Sequence, residues 1–422
     1  MTINLLSVFE KTAHANYHKP AVIHNDNSIY FGELNRNCMV IASSILHDMP
    51  DICNKPIAVF LPKCINVVIA DLAIGYSGNI FMNLDINTPA NRIKGIIETV
   101  NPILIITDTE HIKDIQNIVF NTLIYNLDIF EFIKTNIDAN VIKQRLAKMI
   151  DTDPWCIINT SGSTGIPKSV VLSHKNFIDF MAFTLDTFKF GDGEIIGSLS
   201  PVVFDIYNHE LCMLIFKSST MVILDSTLAV FPAKLLQALN KKNVSYIFWV
   251  PSIMVNIANM DLLSRIVLPY LHMVWFAGEV FPTKQFNYWK RQLSSCVFVN
   301  LYGPIEITLD CAYYIIDRDF NDDEPLPIGI ACKNTDILLL NDANHLCEHS
   351  EEGEICVRGT SLAMGYYNNH QKTTEVFTQN PLNLSYPELI YRTGDIGMIN
   401  DYGEIIFKGR KDSLIKHMGY RI

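Results

Sequence analysis

The chain has 422 residues, of which 49% are hydrophobic and 18% are charged, and its formal net charge at pH 7 is −11. This length predicts two or three compact units rather than one domain. The negative charge and the lack of a Lys/Arg patch argue against nucleic acid as a partner. No apolar run approaches the roughly 20 residues that span a bilayer, so we expect no membrane partner either.

The N-terminus has neither the basic start nor the apolar core of a secretory signal peptide. The ten cysteines occur singly, without a C-x-x-C pair or the spacing of a metal site. We therefore expect a cytoplasmic protein with reduced thiols.

Apolar runs of strand length alternate with helix-like segments through about the first three hundred residues. A helix is predicted at 67–76, closed by Gly75 and Gly78. The predicted strands lie at 57–61, 80–84, 103–107, 155–158, 221–224, 246–250 and 273–276. This alternation favours parallel sheets covered by helices.

The pattern changes after about residue 310, where the segments become short and rich in turns. Strand patterns at 353–357, 391–393 and 404–408 are separated by Gly, Asn and Asp. Such a pattern is typical of a small antiparallel β unit.

A run rich in Ser, Thr and Gly follows the predicted strand at 155–158. It reads Thr160-Ser161-Gly162-Ser163-Thr164-Gly165-Ile166-Pro167-Lys168. Triphosphate oxygens need many donors at short range, and the glycines let the backbone approach closely while the hydroxyls and Lys168 supply donors and charge. The run is not a Walker A motif. The alternative to a phosphate loop is a solvated Ser/Gly turn.

The run resembles the phosphate loop of the adenylate-forming superfamily, which includes acyl-CoA synthetases, luciferases and nonribosomal peptide adenylation domains. Further motifs follow in the family's order over essentially the whole chain. The resemblance implies an α/β fold with two layered sheet–helix subdomains of αβαβα type and a small distorted β-barrel. It places them at 1–185, 186–310 and 311–408, with a hinge at 409–422.

The resemblance also implies ATP and Mg²⁺ as ligands and assigns residues to each. In Asn300–Glu306, Tyr302 would stack on adenine and Glu306 would bind the metal. In Tyr391–Asp395, Asp395 would accept hydrogen bonds from the ribose. The implied nucleotide-binding residues are Thr160, Ser161, Gly162, Ser163, Thr164, Gly165, Lys168, Gly278, Glu279, Asn300, Tyr302, Gly303, Asp395 and Arg410. The implied catalytic residues are Lys168, Thr164 and Glu306.

Three further features qualify this match. Ile305 stands where the family has threonine, and Thr308 is a candidate to replace the lost hydroxyl. Asp412 matches the family's hinge pivot. The segment from Gly353 to Tyr366 resembles a structural β motif, and we assign it no functional residue.

The sequence Phe204-Asp205 resembles the segment that binds the substrate's α-ammonium in the amino-acid-activating members. A buried carboxylate needs a charged partner, which a substrate ammonium would supply. The alternative is that Asp205 caps the helix predicted at 206–216. The implied pocket residues are Asp205, Ile206, His209, Trp249, Trp275, Ala277, Leu301, Leu309 and Asp310. The indoles of Trp249 and Trp275 would make the pocket shallow, and Asp310 would place a further acceptor in it. We therefore expect a substrate with a small side chain that carries a hydroxyl or amine, with alanine or glycine as the next candidates.

The expected function is ATP-dependent activation of an amino acid as aminoacyl-AMP and its transfer to the phosphopantetheine thiol of a carrier protein. The alternatives are an acyl- or aryl-CoA ligase and a non-catalytic adenylate-binding module. The chain stops just past the hinge, so the resemblance implies a stand-alone core without its C-terminal subdomain and with impaired catalysis.

Overall fold

Alternating strands and helices build two large sheets, with a smaller antiparallel sheet formed by the last third of the chain. The structure is a computed structural model that describes residues 4–119, 122–128, 136–160, 167–411, 416–417 and 420–421. The fold class expected from the sequence is confirmed, because α/β layers and the additional small sheet are both present.

The strands are β1 (Pro20–His24), β2 (Asn27–Tyr30), β3 (Pro56–Val59), β4 (Ile80–Asn83), β5 (Leu104–Thr107), β6 (Leu123–Asn126), β7 (Pro154–Thr160), β8 (Lys168–Ser173), β9 (Ile195–Ser198), β10 (Thr220–Ile223), β11 (Tyr246–Trp249), β12 (Met273–Phe276), β13 (Val297–Tyr302), β14 (Ala312–Ile315), β15 (Ile330–Ala331), β16 (Thr335–Leu340), β17 (Gly353–Gly359), β18 (Gly365–Tyr366), β19 (Phe377–Gln379), β20 (Leu389–Ile399), β21 (Ile405–Arg410), β22 (Lys416–His417) and β23 (Tyr420–Arg421).

The helices are α1 (Leu5–Ala15), α2 (Phe31–Asp48), α3 (Ile65–Tyr76), α4 (Ala90–Val100), α5 (Ile112–Gln116), α6 (Ala139–Lys148), α7 (His174–Thr187), α8 (Asp205–Lys217), α9 (Pro232–Lys241), α10 (Pro251–Asn259), α11 (Thr283–Gln292) and α12 (His370–Val376). Short 3₁₀ helices lie at Ser226–Val230 and Ile305–Ile307.

Each large sheet is mostly parallel, with antiparallel strands at both edges of the nine-stranded sheet and at one edge of the seven-stranded sheet. The seven-stranded sheet has the order β18-β8-β7-β4-β3-β5-β6, and the nine-stranded sheet has the order β15-β14-β13-β12-β11-β9-β10-β1-β2. The smaller sheet runs β16-β17-β20-β19, with β21 also paired to β20. The strands predicted from apolar runs match β3, β4, β5, β7, β10, β11 and β12 to within a few residues at each end.

Some pairings cross the subdomain boundaries that the resemblance implied. Strand β1 pairs in parallel with β10, with Val22 opposite Met221, so the start of the chain completes the second sheet. Strand β18 pairs with β8, so a late segment completes the first. We keep the boundaries at residues 185, 310 and 408 as a proposal.

Helices α3 and α8 lie in the interior. Every residue from Val67 to Tyr76 in α3 is buried, as is every residue from Ile206 to Ile215 in α8. A helix that is buried on all sides is held by packing rather than by an amphipathic stripe. Since Asp205 is the first residue of α8, this packing fixes its position.

Two expectations from composition can be compared with the structure. All ten cysteines lie within the described ranges, and each is a free thiol there. Among the described helices, none combines the length and apolar character needed to cross a bilayer.

Candidate functional site

A cavity of about 330 Å³ opens where strands of both large sheets end. Its walls include the last residue of a strand, or one just beyond it, at six strands: Asn83 (β4), Thr160 (β7), Leu199 (β9), Trp249 (β11), Ala277 (β12) and Gly303 (β13). The carboxyl ends of parallel strands are where α/β proteins bind their ligands. The location therefore makes this cavity the candidate active site.

Nine residues predicted from the sequence meet in this cavity. They come from both the nucleotide and the substrate sets: Thr160, Gly278, Gly303, Asp205, Ile206, Trp249, Ala277, Leu309 and Asp310. Segments more than a hundred residues apart thus converge as the motif pattern predicts.

Three residues assigned to the substrate pocket are not among the residues that line this cavity. His209 and Trp275 are fully buried and stack with their ring centroids 5.1 Å apart, and Leu301 is also buried. The ring of His209 bonds the hydroxyl of Tyr246 at 2.9 Å. Burial lowers the pKa of His209 to about 3, so its imidazole is neutral at physiological pH. Of the two predicted indoles, only Trp249 lines the cavity.

Asp205 occupies the first turn of α8 rather than the capping position. The N-cap residue is Phe204, and Oδ1 of Asp205 accepts a hydrogen bond of 3.0 Å from the amide of Ile206. A carboxylate is favourable at a helix N-terminus, so the charge has a local stabilising role. Because Asp205 also lines the cavity, this role does not exclude contact with a ligand.

Asp310 follows a strained backbone segment. Thr308 and Leu309 have φ angles of 58° and 63°, which residues other than glycine rarely adopt. Gly303 lies against this segment, and a Cβ there would be 2.3 Å from the carbonyl oxygen of Leu309. Only glycine fits at this position, so the close approach of the two segments sets the position of Asp310. Backbone strain of this kind often accompanies functional sites.

The missing threonine hydroxyl at position 305 is not replaced by Thr308. The hydroxyl of Thr308 donates a hydrogen bond of 2.8 Å to the carbonyl oxygen of Ser361, and Thr308 is not among the residues that line the cavity. Ile305 does line it, which makes that part of the wall apolar.

Tyr302, Asp395 and Arg410 form one hydrogen-bonded group. The Tyr302 hydroxyl donates to Oδ2 of Asp395, and a guanidinium nitrogen of Arg410 donates to Oδ1, each at 2.5 Å. Burial and the nearby carboxylate of Asp395 raise the pKa of Tyr302 well above its ordinary value, so the phenol keeps its proton. A carboxylate can accept about four hydrogen bonds, so these two leave capacity for ribose hydroxyls.

Glu306 is fully buried on the short helix at 305–307. Its Oε1 accepts a hydrogen bond of 2.9 Å from the hydroxyl of Tyr366. The ammonium of Lys168 lies 5.4 Å from the centroid of the same ring. The two residues predicted to serve the metal and the triphosphate therefore share one neighbour.

Two other predicted residues have structural partners. A carboxylate oxygen of Glu279 accepts from the amide of Ser252 at the start of α10, and the side-chain amide of Asn300 donates to the carbonyl of Pro327. Ser161, Gly162, Ser163, Thr164 and Gly165 lie outside the described residues, as does Asp412. The strands on either side of the loop are described, and Thr160 pairs with Lys168 across them.

Two contributions to the site come from residues that the sequence did not predict. Asn83 and Arg92 line the cavity, and Tyr366 contacts Glu306. A signal for Asn83 exists, since it is a polar residue at the carboxyl end of the strand predicted at 80–84. For Tyr366 we find no such signal, because its contact crosses 60 residues of sequence.

The sequence profile of the AMP-binding enzyme family matches residues 9–367. The chain belongs to this family. The match covers most of the chain, including the strands that end at the cavity and both Lys168 and Glu306.

Comparisons with individual relatives agree with the family. The chain is 28% identical to delta-poly-L-ornithine synthetase from Acinetobacter baumannii over 99% of its own length, but it spans only 30% of that protein. It is 25% identical to a D-alanine–D-alanyl carrier protein ligase from Bacillus cytotoxicus, covering 100% of the chain and 81% of the ligase. The crystal structure of the nonribosomal peptide synthetase FmoA3 (S1046A) superposes with a TM-score of 0.86 at 20% identity, over 97% of this chain and 43% of that one.

Proposed function

We propose that the chain activates an amino acid with ATP, forming an aminoacyl-AMP and pyrophosphate, and that the product passes to the phosphopantetheine thiol of a carrier protein. One observation carries the proposal. A single cavity joins two carboxylates, Asp205 and Asp310, to the predicted nucleotide residues Thr160, Gly278 and Gly303.

The two carboxylates that line the cavity suit a substrate that carries an ammonium group. Asp205 at the start of α8 would bind the α-ammonium, since a charged partner offsets the cost of taking a carboxylate out of water. Asp310 is 3% exposed and would accept from a hydroxyl or amine on the side chain. Trp249 lines the cavity, and its large indole would limit the depth of the pocket. A shallow pocket would favour serine-like or diamino acids, with alanine or glycine next.

The names of two relatives agree with this class. One is a synthetase named for an ornithine polymer, and the other is a ligase named for D-alanine and its carrier protein. Ornithine is a diamino acid and alanine is small.

The donor set also suits the metal that ATP brings. Glu306 supplies a carboxylate, and in the described part of the chain no three His, Cys, Asp or Glu side chains are grouped to hold an ion by themselves. Mg²⁺ commonly takes one or two protein carboxylates and completes its shell with phosphate oxygens and water. When bound, it would neutralise charge on the phosphates.

The chain's own residues would act by positioning and charge. Asp395 and Arg410 would hold the ribose, Lys168 would face the phosphates, and Asp205 would orient the acid. The substrate carboxylate oxygen would then form its bond to the α-phosphorus while the bond to pyrophosphate breaks. Holding both reactants in one cavity is the main rate advantage of such a site.

Amino-acid-dependent exchange of pyrophosphate into ATP by the full protein tests the proposal. The panel should hold serine, 2,4-diaminobutyrate, ornithine, alanine, glycine, benzoate and a fatty acid. We expect exchange with one or more of the small amino acids. Exchange only with acids that lack an amine would favour the CoA-ligase alternative. Nucleotide binding without any exchange would favour a non-catalytic module.

A further inference from the structure

Tyr366 has its backbone fixed on two sides. In β18 it pairs with Val170 of β8, and its amide donates a hydrogen bond of 2.9 Å to Oγ1 of Thr373 in the middle of α12. The preceding Gly365 has a φ of 117°, and a Cβ there would lie 2.6 Å from the methyl carbon of Thr373. The turn that aims Tyr366 therefore depends on glycine.

The side chain of Tyr366 joins two residues of the proposed reaction site. Its hydroxyl donates to Oε1 of Glu306 at 2.9 Å, and its ring lies 5.4 Å from the ammonium of Lys168. A second hydrogen bond joins the chain near Tyr366 to Glu306. The amide of Ala363 donates a hydrogen bond of 2.9 Å to the carbonyl oxygen of Glu306. The short helix that carries Glu306 is thus tied by side chain and backbone to the 361–367 segment.

We infer that Tyr366 is a positioning residue for metal binding. The hydrogen bond from the Tyr366 hydroxyl fixes the orientation of the Glu306 carboxylate and thereby promotes binding of the metal. The inference rests on the proposed function, in which Glu306 binds the Mg²⁺ of MgATP. Carboxylates that bind metals are themselves commonly hydrogen-bonded, and losing such a partner typically weakens metal affinity or activity about 10- to 100-fold. A buried hydrogen bond to a charged acceptor is also strong enough to select one side-chain orientation.

The ring of Tyr366 adds a second effect. An ammonium near an aromatic face is attracted by the ring's quadrupole, which favours one placement of the Lys168 side chain. A phenylalanine at position 366 would keep this ring contact and remove the hydrogen bond to Glu306. Tyr366→Phe therefore tests the hydrogen bond while the aromatic ring stays in place.

Mn²⁺ binding measured by electron paramagnetic resonance, with ATP present, tests the inference without relying on turnover. We expect Tyr366→Phe to bind Mn²⁺ about tenfold or more weakly than the unmodified protein. Calorimetry should show metal-free AMP binding unchanged within about twofold, since Tyr302, Asp395 and Arg410 are untouched. Tyr367→Phe is the matched control, because it removes one hydroxyl from the adjacent residue and should bind Mn²⁺ normally.

A double-mutant cycle with Glu306→Gln asks whether Tyr366 acts through Glu306. We expect Tyr366→Phe to add no further loss of Mn²⁺ affinity in the Glu306→Gln background. A full additional loss there would overturn the inference, and so would Mn²⁺ binding by Tyr366→Phe that equals the unmodified protein. Failure of the unmodified protein to bind Mn²⁺ with ATP would overturn the proposed function as well.

Discussion

The hydroxyl of Tyr302 donates a hydrogen bond of 2.5 Å to Oδ2 of Asp395, across 93 residues of sequence. Tyr302 ends β13 of the nine-stranded sheet, and Asp395 lies in β20 of the smaller sheet. Arg410 binds the other oxygen of the same carboxylate from β21. Three of the predicted nucleotide residues thus form one hydrogen-bonded group in the folded chain.

Asp395→Asn should weaken AMP binding by roughly tenfold or more, because a hydrogen bond to a charged group contributes about 1.5–3 kcal/mol. Calorimetric titration with AMP measures the change. Asp401→Asn provides the control, since the Asp401 side chain is exposed and the residue has no predicted role. Equal AMP affinity in the two variants would remove Asp395 from the nucleotide site.

Lys63→Met should destabilise the fold by about 3–5 kcal/mol, the usual cost of leaving one partner of a buried ion pair alone. The ammonium of Lys63 lies 3.6 Å from Oε2 of Glu210 on α8, and Glu210 is fully buried. Lys63 also donates to the carbonyl of Ser200 in the cavity wall. Urea unfolding of the variant measures the loss of free energy.

Two comparisons sharpen this experiment. The double variant Lys63→Met/Glu210→Met should recover most of the loss, because no unpaired charge remains. Lys94→Met should change stability by less than about 0.5 kcal/mol, since its pair with Glu98 is exposed. A single-variant loss as small as that of Lys94→Met would show that the Lys63–Glu210 pair is not structurally important.

Asp71→Asn should change how stability depends on pH. Burial raises the pKa of Asp71 to about 7, while hydrogen bonds from Asn83 and Tyr207 oppose the rise. The folded state therefore holds this proton more tightly than the unfolded state does. The resulting stabilisation is complete below the unfolded pKa near 4 and is lost as pH rises to about 7.

Denaturant unfolding of both proteins between pH 5 and 7 checks this prediction. The variant should gain roughly 2 kcal/mol relative to the unmodified protein over that range. His174 and His209, whose pKa values burial lowers to about 3, give an opposite slope, but both remain in the variant and cancel in the difference. A difference that stays constant with pH would contradict the raised pKa.

The sequence predicts the layers of the fold better than it predicts their connections. Apolar runs of strand length identify β3, β4 and β11, because burial on both faces leaves a local composition signal. The pairing of β1 with β10 leaves no such signal, because it joins segments almost 200 residues apart. The contact of Tyr366 with Glu306 could not be predicted for the same reason, since 60 residues of sequence separate the two.

The site shows the same contrast between local and distant information. Motif matching brings Asp205, Ala277 and Asp310 to one cavity. It also predicts His209 and Trp275 in the pocket, but these two rings stack on each other and are not among the residues that line the cavity. Matching positions along a chain cannot tell which side of a strand or helix faces the ligand when both sides are buried.

Binding of two matched adenylate analogues tests the central claim most directly. One is a nonhydrolysable sulfamoyl adenosine built on serine or 2,4-diaminobutyrate, and the other is its deamino counterpart. We predict that the unmodified protein binds the amine-bearing analogue about tenfold or more tightly than the deamino analogue. Asp205→Asn should remove this preference. Asp192→Asn, a change at an exposed carboxylate, should keep it. Equal affinity of the unmodified protein for both analogues, or a preference that survives in Asp205→Asn, would contradict the account.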